Sequence, residues 1–315
     1  MKKLSELINK YSVTSIKNDL VMQFGDRHDG AIEFPGLVDN GVIEVGYFYG
    51  DVKKKNIIVI SSQVGCPAHC QFCELGNERF ARNLSALEIY DQIMLMLQIA
   101  SRSGIDIDEI KHKINVAKCG ESLLNDRLIE ALEMIIPFSF SIKVSTIFPG
   151  GTKAWRNFHR LAMLTAIYPE PIQIQLSLVS TDEKYRRKAI GLSLASFKEI
   201  RQASEDWFEL NPKGRKINLS LILTDKVPVD VNQICDIFPS NLFHFRFRNY
   251  VPTFHGQDIG LKTISINRFE AIKKSFADKG YEVGDWATPS PMEQKFHLAS
   301  NVTRRRYLQI IDGKF

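Results

Sequence analysis

Cys66-Pro67-Ala68-His69-Cys70-Gln71-Phe72-Cys73 is the stretch on which the reading of this chain turns. Three cysteines at C-x₃-C-x₂-C spacing follow an apolar run, Ile57 to Ile60, through Ser61-Ser62-Gln63-Val64-Gly65. Such spacing lets one short loop fold its thiolates around a single metal centre. Iron–sulfur clusters are held by cysteine thiolates, usually four of them. This loop supplies three, which leaves one iron open to a ligand that is not protein. Zinc is the rival, and structural zinc takes four ligands. His69 stands inside the first gap, where it makes a strained chelate, and neither Cys119 nor Cys235 brings a second C-x-x-C half. Five cysteines in 315 residues are no disulfide framework either. A [4Fe-4S] cluster on Cys66, Cys70 and Cys73 is expected.

Further motifs follow in order along the chain. Ser61-Ser62-Gln63-Val64-Gly65-Cys66, Phe72-Cys73 and Arg82-Asn83-Leu84-Ser85 precede Gly120-Glu121-Ser122-Leu123-Leu124-Asn125, Val144-Ser145-Thr146, Ser177-Leu178 and Asp182-Glu183. Over about residues 45 to 285 the series resembles radical SAM enzymes, and among them the ribosomal-RNA adenine methyl synthases of the RlmN/Cfr type. The resemblance implies that the open iron binds the amino and carboxylate groups of S-adenosylmethionine (SAM). One electron from the cluster then splits SAM into methionine and a 5′-deoxyadenosyl radical. A reductant such as flavodoxin or ferredoxin is implied with it.

At 315 residues, 44% of them hydrophobic, the chain has enough core for one large or two small domains. No apolar run reaches transmembrane length, and the start, Met1-Lys2-Lys3-Leu4-Ser5-Glu6, lacks the apolar stretch of a secretory signal. Unpaired cysteines suit a reducing compartment, so a cytoplasmic protein with no membrane partner is expected. The net charge of +5 is mild. Lys53-Lys54-Lys55, Arg186-Arg187-Lys188 and Arg304-Arg305-Arg306 permit contact with phosphates without demanding it.

From residue 56 onward strand-like and helix-like runs alternate. Strands are expected at 57–62, 113–118, 141–147, 172–179, 217–223 and 242–248. Helices are expected at 85–102, 123–135, 152–166, 195–209, 231–238 and 267–279. Such units build a parallel sheet with right-handed crossovers. The expected fold class is α/β, a partial (β/α)₆ TIM-like barrel over 56–286. A β-rich N-terminal extension (1–55) and a C-terminal cap (287–315) flank it. Barrel enzymes gather their chemistry at the C-terminal strand ends, where each of these motifs falls.

The resemblance assigns roles at those ends. Phe72, between two ligands, is placed to shield the cluster and contact adenine. Gly120 lets the backbone approach a ligand closely, and the Glu121 carboxylate accepts hydrogen bonds from the SAM ammonium. Ser122 stands where the family has proline. Ser145 and Ser177-Leu178 match positions that contact the SAM ribose and carboxylate, and Asn249 is a candidate for the adenine-contacting asparagine. Each has a plainer reading, since strand-end hydroxyls satisfy local backbone groups and Gly-Glu is an ordinary helix start.

Departures limit what the resemblance implies about reaction. The family uses two further cysteines, one carrying the methyl group and one resolving the RNA adduct. Here the upstream position is Val59, and the segment Trp286-Ala287-Thr288-Pro289-Ser290-Pro291-Met292 holds no thiol. The family's histidine after Ser-Leu is Val179, and few residues precede the cluster loop. The expectation is direct hydrogen abstraction from a small-molecule, nucleotide or peptide substrate, with RNA disfavoured. Methyl transfer to RNA or a small molecule, with Cys119 as the thiol, and a silent Fe–S or zinc binding module are the alternatives. Cys119 is the candidate catalytic thiol, with Lys118 expected on the opposite strand face. Cys235 belongs with Ile234 and Phe238 in the core. Tyr250, His255 and Tyr307 are candidates to meet substrate, and His297 lies in the tail.

Overall fold

A computed structural model describes residues 3–18, 23–50, 55–168, 172–285 and 302–312. The Trp286 to Met292 segment, His297, Lys53 and Lys54 lie outside them.

The strands are β1 (Lys17–Asn18), β2 (Ala31–Val38), β3 (Gly41–Phe48), β4 (Lys55–Ile60), β5 (Gln63–Val64), β6 (Arg82–Asn83), β7 (Lys111–Val116), β8 (Ser141–Thr146), β9 (Gln173–Ser177), β10 (Ile217–Leu223), β11 (Phe243–Asn249) and β12 (Val283–Asp285). Ten of them form one sheet in the order β1-β2-β3-β4-β7-β8-β9-β10-β11-β12, and β5 pairs with β6 apart from it. From β4 to β12 every pairing is parallel, while β1 to β4 pair antiparallel. The expected β/α barrel is therefore present as an open, mostly parallel sheet. Its six expected strands are β4 and β7 to β11, and β12 adds a further one. The N-terminal β segment is not a separate sheet: β3 pairs with β4 at Gly46↔Val59 and continues the barrel edge.

Helices α1 (Leu4–Lys10), α2 (Ala86–Arg102), α3 (Arg127–Ile135), α4 (Thr152–Ile167), α5 (Glu183–Ala189), α6 (Phe197–Leu210), α7 (Phe254–Asp258), α8 (Ile266–Ala277) and α9 (Val302–Ile311) complete the described elements. Local sequence sets their starts. Ser85 and Glu88 form a capping box on α2, and Ser196 and Glu199 do the same on α6, satisfying amide donors that a helix start leaves open. Side chains alternate across each strand, and one sheet face is apolar. Ile58, Ile114, Val144, Leu176, Leu221 and Phe245 lie in one core cluster with Ile93, Leu132 and Leu161 of the helices.

One expectation is corrected. Residues 231–238 form a 3₁₀ turn, Val231–Gln233, instead of a helix. Asp230 caps this turn by accepting from the Asn232 amide at 2.9 Å, and Pro239, which has no amide donor, closes the segment. Cys235 is accordingly only partly buried against the core. In addition, the segment after β9, for which no element was expected, contains α5. Among the described residues no helix is long and apolar enough to cross a membrane.

Candidate active site

The strand ends are locked together by the side chains of the sequence motifs themselves. Ser61 donates from its hydroxyl to the Glu44 carbonyl (2.7 Å) and accepts from the Cys119 amide (3.1 Å). Its own backbone is bonded both ways by Gln92. Gln63 accepts from the Glu121 amide at 2.7 Å and donates to Asn83 at 2.8 Å. Asn125 donates to the carbonyls of Ser62 and Leu84 at 2.7 and 2.9 Å. The turn carrying the cysteines, the strand β6 and the Gly120–Asn125 loop thus form one hydrogen-bonded unit at the end of β4 and β7.

The cysteine loop leaves that unit through Gly65, whose φ of +73° and lack of room beside the Arg79 carbonyl require glycine. Cys66, Cys70 and Cys73 are all free thiols. They pack with Phe72 against a small apolar cluster that includes Ala68, Ile147 and Val179. Burial pushes the Cys70 thiol well up, and the neighbouring Cys73 and Cys66 charges push it further. Cys66 is raised in the same way. The Arg186 charge opposes the shift at Cys70 without reversing it, and metal coordination deprotonates a thiol outright. The donor set therefore suits a cluster held by three thiolates. Among the described residues no three His, Cys, Asp or Glu side chains already close on a single-ion position. His69 is turned to the Gly76 carbonyl at 3.0 Å, inside its own loop.

The other wall of the loop was not legible in advance. The Gln71 amide donates to the Ala189 carbonyl at 3.0 Å, and the Gly191 amide to the Ala68 carbonyl at 2.9 Å. Arg186 on α5, fully buried, donates to the carbonyls of Ala195 (2.8 Å) and Ile147 (2.5 Å). Asp182 caps α5 through the amides of Lys184 and Tyr185. Arg186 therefore braces the cysteine loop through α5, whose Ala189 carbonyl holds the Gln71 amide, and its run with Arg187 and Lys188 is no uniform solvated patch.

Glu121 is 3% exposed, and its carboxylate accepts from Thr146, from the Ile147 amide (2.9 Å) and from the Leu123 amide (3.1 Å). Burial nevertheless pushes its pKa up to about 7. Gly120 holds φ +109°, and a Cβ there would stand 2.6 Å from Gln63 Cβ and 2.7 Å from Ser62 Oγ. Ser122 is buried at the start of the short turn that follows.

Lys118 and Cys119 correct the strand-alternation expectation. The strand β7 ends at Val116, so alternation no longer applies to either residue, and both lie beside Glu44. Lys118 reaches Glu33 and Glu44 at 2.5 Å each. Burial acts against its charge, but the two carboxylates outweigh it and hold the ammonium above its ordinary pKa. Burial pushes the Cys119 thiol up to about 12, with the Arg304 charge opposing. At 1% exposure it is a buried thiol on the side of the N-terminal hairpin. The helix α9 closes this corner: Thr303 donates to Glu33 (3.2 Å), the Arg304 amide to Glu44 (3.1 Å), and the Arg304 guanidinium pairs with Glu78.

The remaining candidates are scattered. Ser145 on β8 has a buried hydroxyl without a partner among the described residues, and so has Asn249 Oδ1 at the end of β11. Asn249 is tethered through its amide nitrogen to the Ile264 carbonyl at 3.2 Å. Ser177 ends β9 half-buried, and the Leu178 side chain lies in the main core. Tyr250 is engaged with Thr253 through both its hydroxyl and the Thr253 amide. His255 is buried, its amide 3.4 Å from the buried Glu74 carboxylate, and Tyr307 is buried on α9.

No family model matches the chain. It is 31% identical over 176 residues to a probable dual-specificity RNA methyltransferase RlmN of Thermus thermophilus, covering 54% of this chain and 46% of that protein. It is 26% identical over 263 residues to a probable dual-specificity RNA methyltransferase RlmN of Deinococcus deserti, covering 81% and 72%. In the first of these matches the chain spans about half the length of its curated relative. Among solved structures, a radical SAM methyltransferase from Sphaerobacter thermophilus superposes with a TM-score of 0.73 at 17% identity, over 91% of this chain and 81% of that one. That likeness concerns the fold. In motif sequence and relatives the chain is similar to radical SAM enzymes of the RlmN/Cfr type, and its fold matches that of a radical SAM methyltransferase.

Proposed function

We propose that this chain cleaves SAM reductively, with Cys66, Cys70 and Cys73 holding a [4Fe-4S] cluster and the Gly120–Glu121 strand end receiving the SAM amino group. The observation that carries this reading is the locked juxtaposition of three free thiols with the buried Glu121, braced by Gln63 and Asn125 and, through α5, by Arg186. When bound, the cluster supplies the single electron that splits SAM and releases a 5′-deoxyadenosyl radical. The chain's own residues position and shield. Phe72 and the Ile147–Val179 cluster keep water from the loop, Glu121 accepts from an ammonium, and Ser145 and Asn249 offer open polar atoms toward the rest of SAM. Residues 56–286 form the catalytic core in this reading, with 1–55 and 287–315 as flanking segments. A reductant of the flavodoxin or ferredoxin kind delivers the electron.

For the substrate, direct hydrogen abstraction is the first reading, because Val59 stands where an RlmN-type resolving cysteine would be. Methyl transfer is the second, favoured by relatives named as RNA methyltransferases. RNA therefore stays among the candidate substrates, and a short N-terminal segment is no ground for setting it aside. The test is an anaerobic assay of cluster-reconstituted protein with SAM and dithionite, quantifying 5′-deoxyadenosine and S-adenosylhomocysteine together. 5′-Deoxyadenosine alone, lost in Cys70→Ala, supports direct abstraction. Substantial S-adenosylhomocysteine supports methyl transfer. Neither product from an iron-loaded protein would sink the proposal.

A further inference from the structure

The turn that follows the last cysteine of the loop holds a carboxylate whose partners come from far along the chain. Glu74 opens the 3₁₀ turn Glu74–Asn77, directly after Cys73, and is 1% exposed. One of its oxygens accepts from the Phe254 amide at 2.8 Å and lies 3.4 Å from the His255 amide. These are the first two amides of α7, and Thr253 Oγ1 accepts from the third, that of Gly256, at 3.0 Å. A helix start leaves such donors open, and an ionised acceptor makes the stronger bond to them. A helix of five residues is not stable by itself, so α7 owes its place to what it docks against. The other Glu74 oxygen is buried without a hydrogen bond among the described residues, 3.9 Å from Arg305 of α9.

The His255 ring makes a second contact with the same turn. A Cβ at Gly76 would stand 2.4 Å from His255 Cδ2 and 2.6 Å from the Cys70 carbonyl oxygen, so glycine is what lets the ring come this close. The Gly76 amide donates to the Cys73 carbonyl at 3.0 Å, and the Gly76 carbonyl meets the His69 ring at 3.0 Å. The helix α7 therefore rests on the backbone that shapes the cysteine loop.

The two sides of this contact belong to opposite ends of the parallel sheet. Glu74 follows β4, whereas α7 follows β11, five places away in strand order, about 24 Å if the sheet were flat. No pairing joins β11 to β4 among the described residues. The carboxylate-to-amide bond, spanning 180 positions of sequence, closes at the mouth a ring that backbone pairing leaves open. The cysteines stand on one side of that closure and Asn249, at the end of β11, on the other.

We propose that Glu74 and His255 are positioning residues that latch α7 to the cluster loop and so fix the Asn249 end of β11 relative to the three cysteines. The inference rests on the SAM reading, in which the amino acid end of SAM lies at the cluster loop and its adenine toward Asn249. Without the latch those two ends are joined only the long way round, through the sheet. SAM then binds more weakly while the thiols still hold iron.

The test compares wild type with Glu74→Leu, Glu74→Gln, Phe254→Pro and Phe254→Ala, all cluster-reconstituted anaerobically. Proline suits the first helical position, and Thr253 already has the extended backbone that a residue before proline needs. Phe254→Pro thus removes the amide that Glu74 holds, and Phe254→Ala removes the same exposed ring while keeping the amide. SAM affinity is read by equilibrium dialysis, iron per chain after desalting, and hydrogen exchange of the α7 segment by mass spectrometry. Glu74→Leu and Phe254→Pro should each bind SAM tenfold or more weakly and exchange α7 tenfold or more faster, with iron per chain unchanged. Phe254→Ala should bind within twofold of wild type. Glu74→Gln, which keeps an acceptor oxygen, should bind at least threefold more tightly than Glu74→Leu. Should Glu74→Leu fail to fold, Phe254→Pro against Phe254→Ala decides alone. The proposal is overturned if Glu74→Leu and Phe254→Pro bind SAM as wild type does, or if Phe254→Ala is as weak as Phe254→Pro. It is overturned equally if α7 exchanges no faster in Glu74→Leu, or if iron is lost in step with SAM affinity, because the two residues then hold the loop itself. Wild type that binds no SAM sinks the SAM reading instead, and the exchange of α7 still decides the latch.

Discussion

Lys118→Met is the most informative perturbation of the fold around the site. Lys118 is 5% exposed at its side chain, Glu33 1% and Glu44 0%, so solvent screens the pairs little. The substitution keeps the side chain's bulk and removes two contacts of 2.5 Å between opposite charges. Glu33 keeps the Thr303 hydroxyl and Glu44 keeps the Arg304 amide, but neither supplies a cation in Lys118's place. A hydrogen bond to a charged group contributes about 1.5–3 kcal/mol, and breaking a buried pair from one side costs about 3–5 kcal/mol. We expect a loss near 4 kcal/mol, a large part of the roughly 5–15 kcal/mol that a domain has.

Urea denaturation followed by circular dichroism at pH 7.5 measures it. The triple variant Lys118→Met, Glu33→Gln, Glu44→Gln should recover most of the loss, because an apolar or neutral replacement of a whole buried ionic group is often nearly neutral. The pH dependence has a definite sign. Lys118 is held above its ordinary pKa, so its contribution is complete below the unfolded lysine's pKa of about 10 and disappears only above it. A single variant within about 1 kcal/mol of wild type, or a triple variant less stable than the single, would refute the assignment of this group as a cohesive element.

Glu121 has a slope of the same sign in a lower window: a carboxyl raised to about 7 contributes stability that is complete below about pH 4.5 and lost as pH rises through 7. Wild type should lose about 2–3 kcal/mol between pH 5 and 8, and Glu121→Gln should flatten that loss in denaturant titrations at the two pH values. Gly120→Ala forces a side chain into φ +109° and onto Gln63 and Ser62, so its melting temperature should fall by several degrees, equivalent to about 2 kcal/mol or more. Arg186→Met strands the Ile147 and Ala195 carbonyls at a cost of about 2–4 kcal/mol. Iron retained per chain after desalting should drop with it, whereas iron content equal to wild type would show that α5 does not brace the loop.

Much of the fold was legible because periodicity reports burial. The strands β7, β8, β10 and β11 fall within a few residues of the apolar alternation that marks them. What escaped was decided by contacts between distant segments. Helix α5 is only seven residues, too short for a periodic signal, and its Arg186 is identified as a brace only by the carbonyls it meets. The Lys118–Glu33–Glu44 group joins residues 85 and 74 positions apart, and nothing local distinguishes those glutamates from solvated ones. Lys113, Lys143, Arg246 and Arg248 were in plain view, yet the sequence spreads them over about three-fifths of the 56–286 span, and only strand alternation sets them on one sheet face.

The site also explains why the scaffold is easier to recognise than the reaction. Ser61, Gln63, Asn83 and Asn125 are occupied in holding loops to one another, so any chain that builds this loop assembly must keep them whatever it acts on. The departures fall elsewhere. Val59 sits on β4 opposite Gly46 and Asn115, where its side chain takes no part in those bonds. Val179 holds a φ of +70°, costly for a β-branched residue. Its amide and that of Leu178 both donate to the Ser220 carbonyl, so the turn is imposed by backbone pairing whichever side chain stands there. A histidine could be exchanged for valine at that position without altering the path of the chain. The residues that select the reaction are therefore free to vary on a frame that cannot, and it is at positions such as Val59 and Val179 that this chain's own chemistry must be sought.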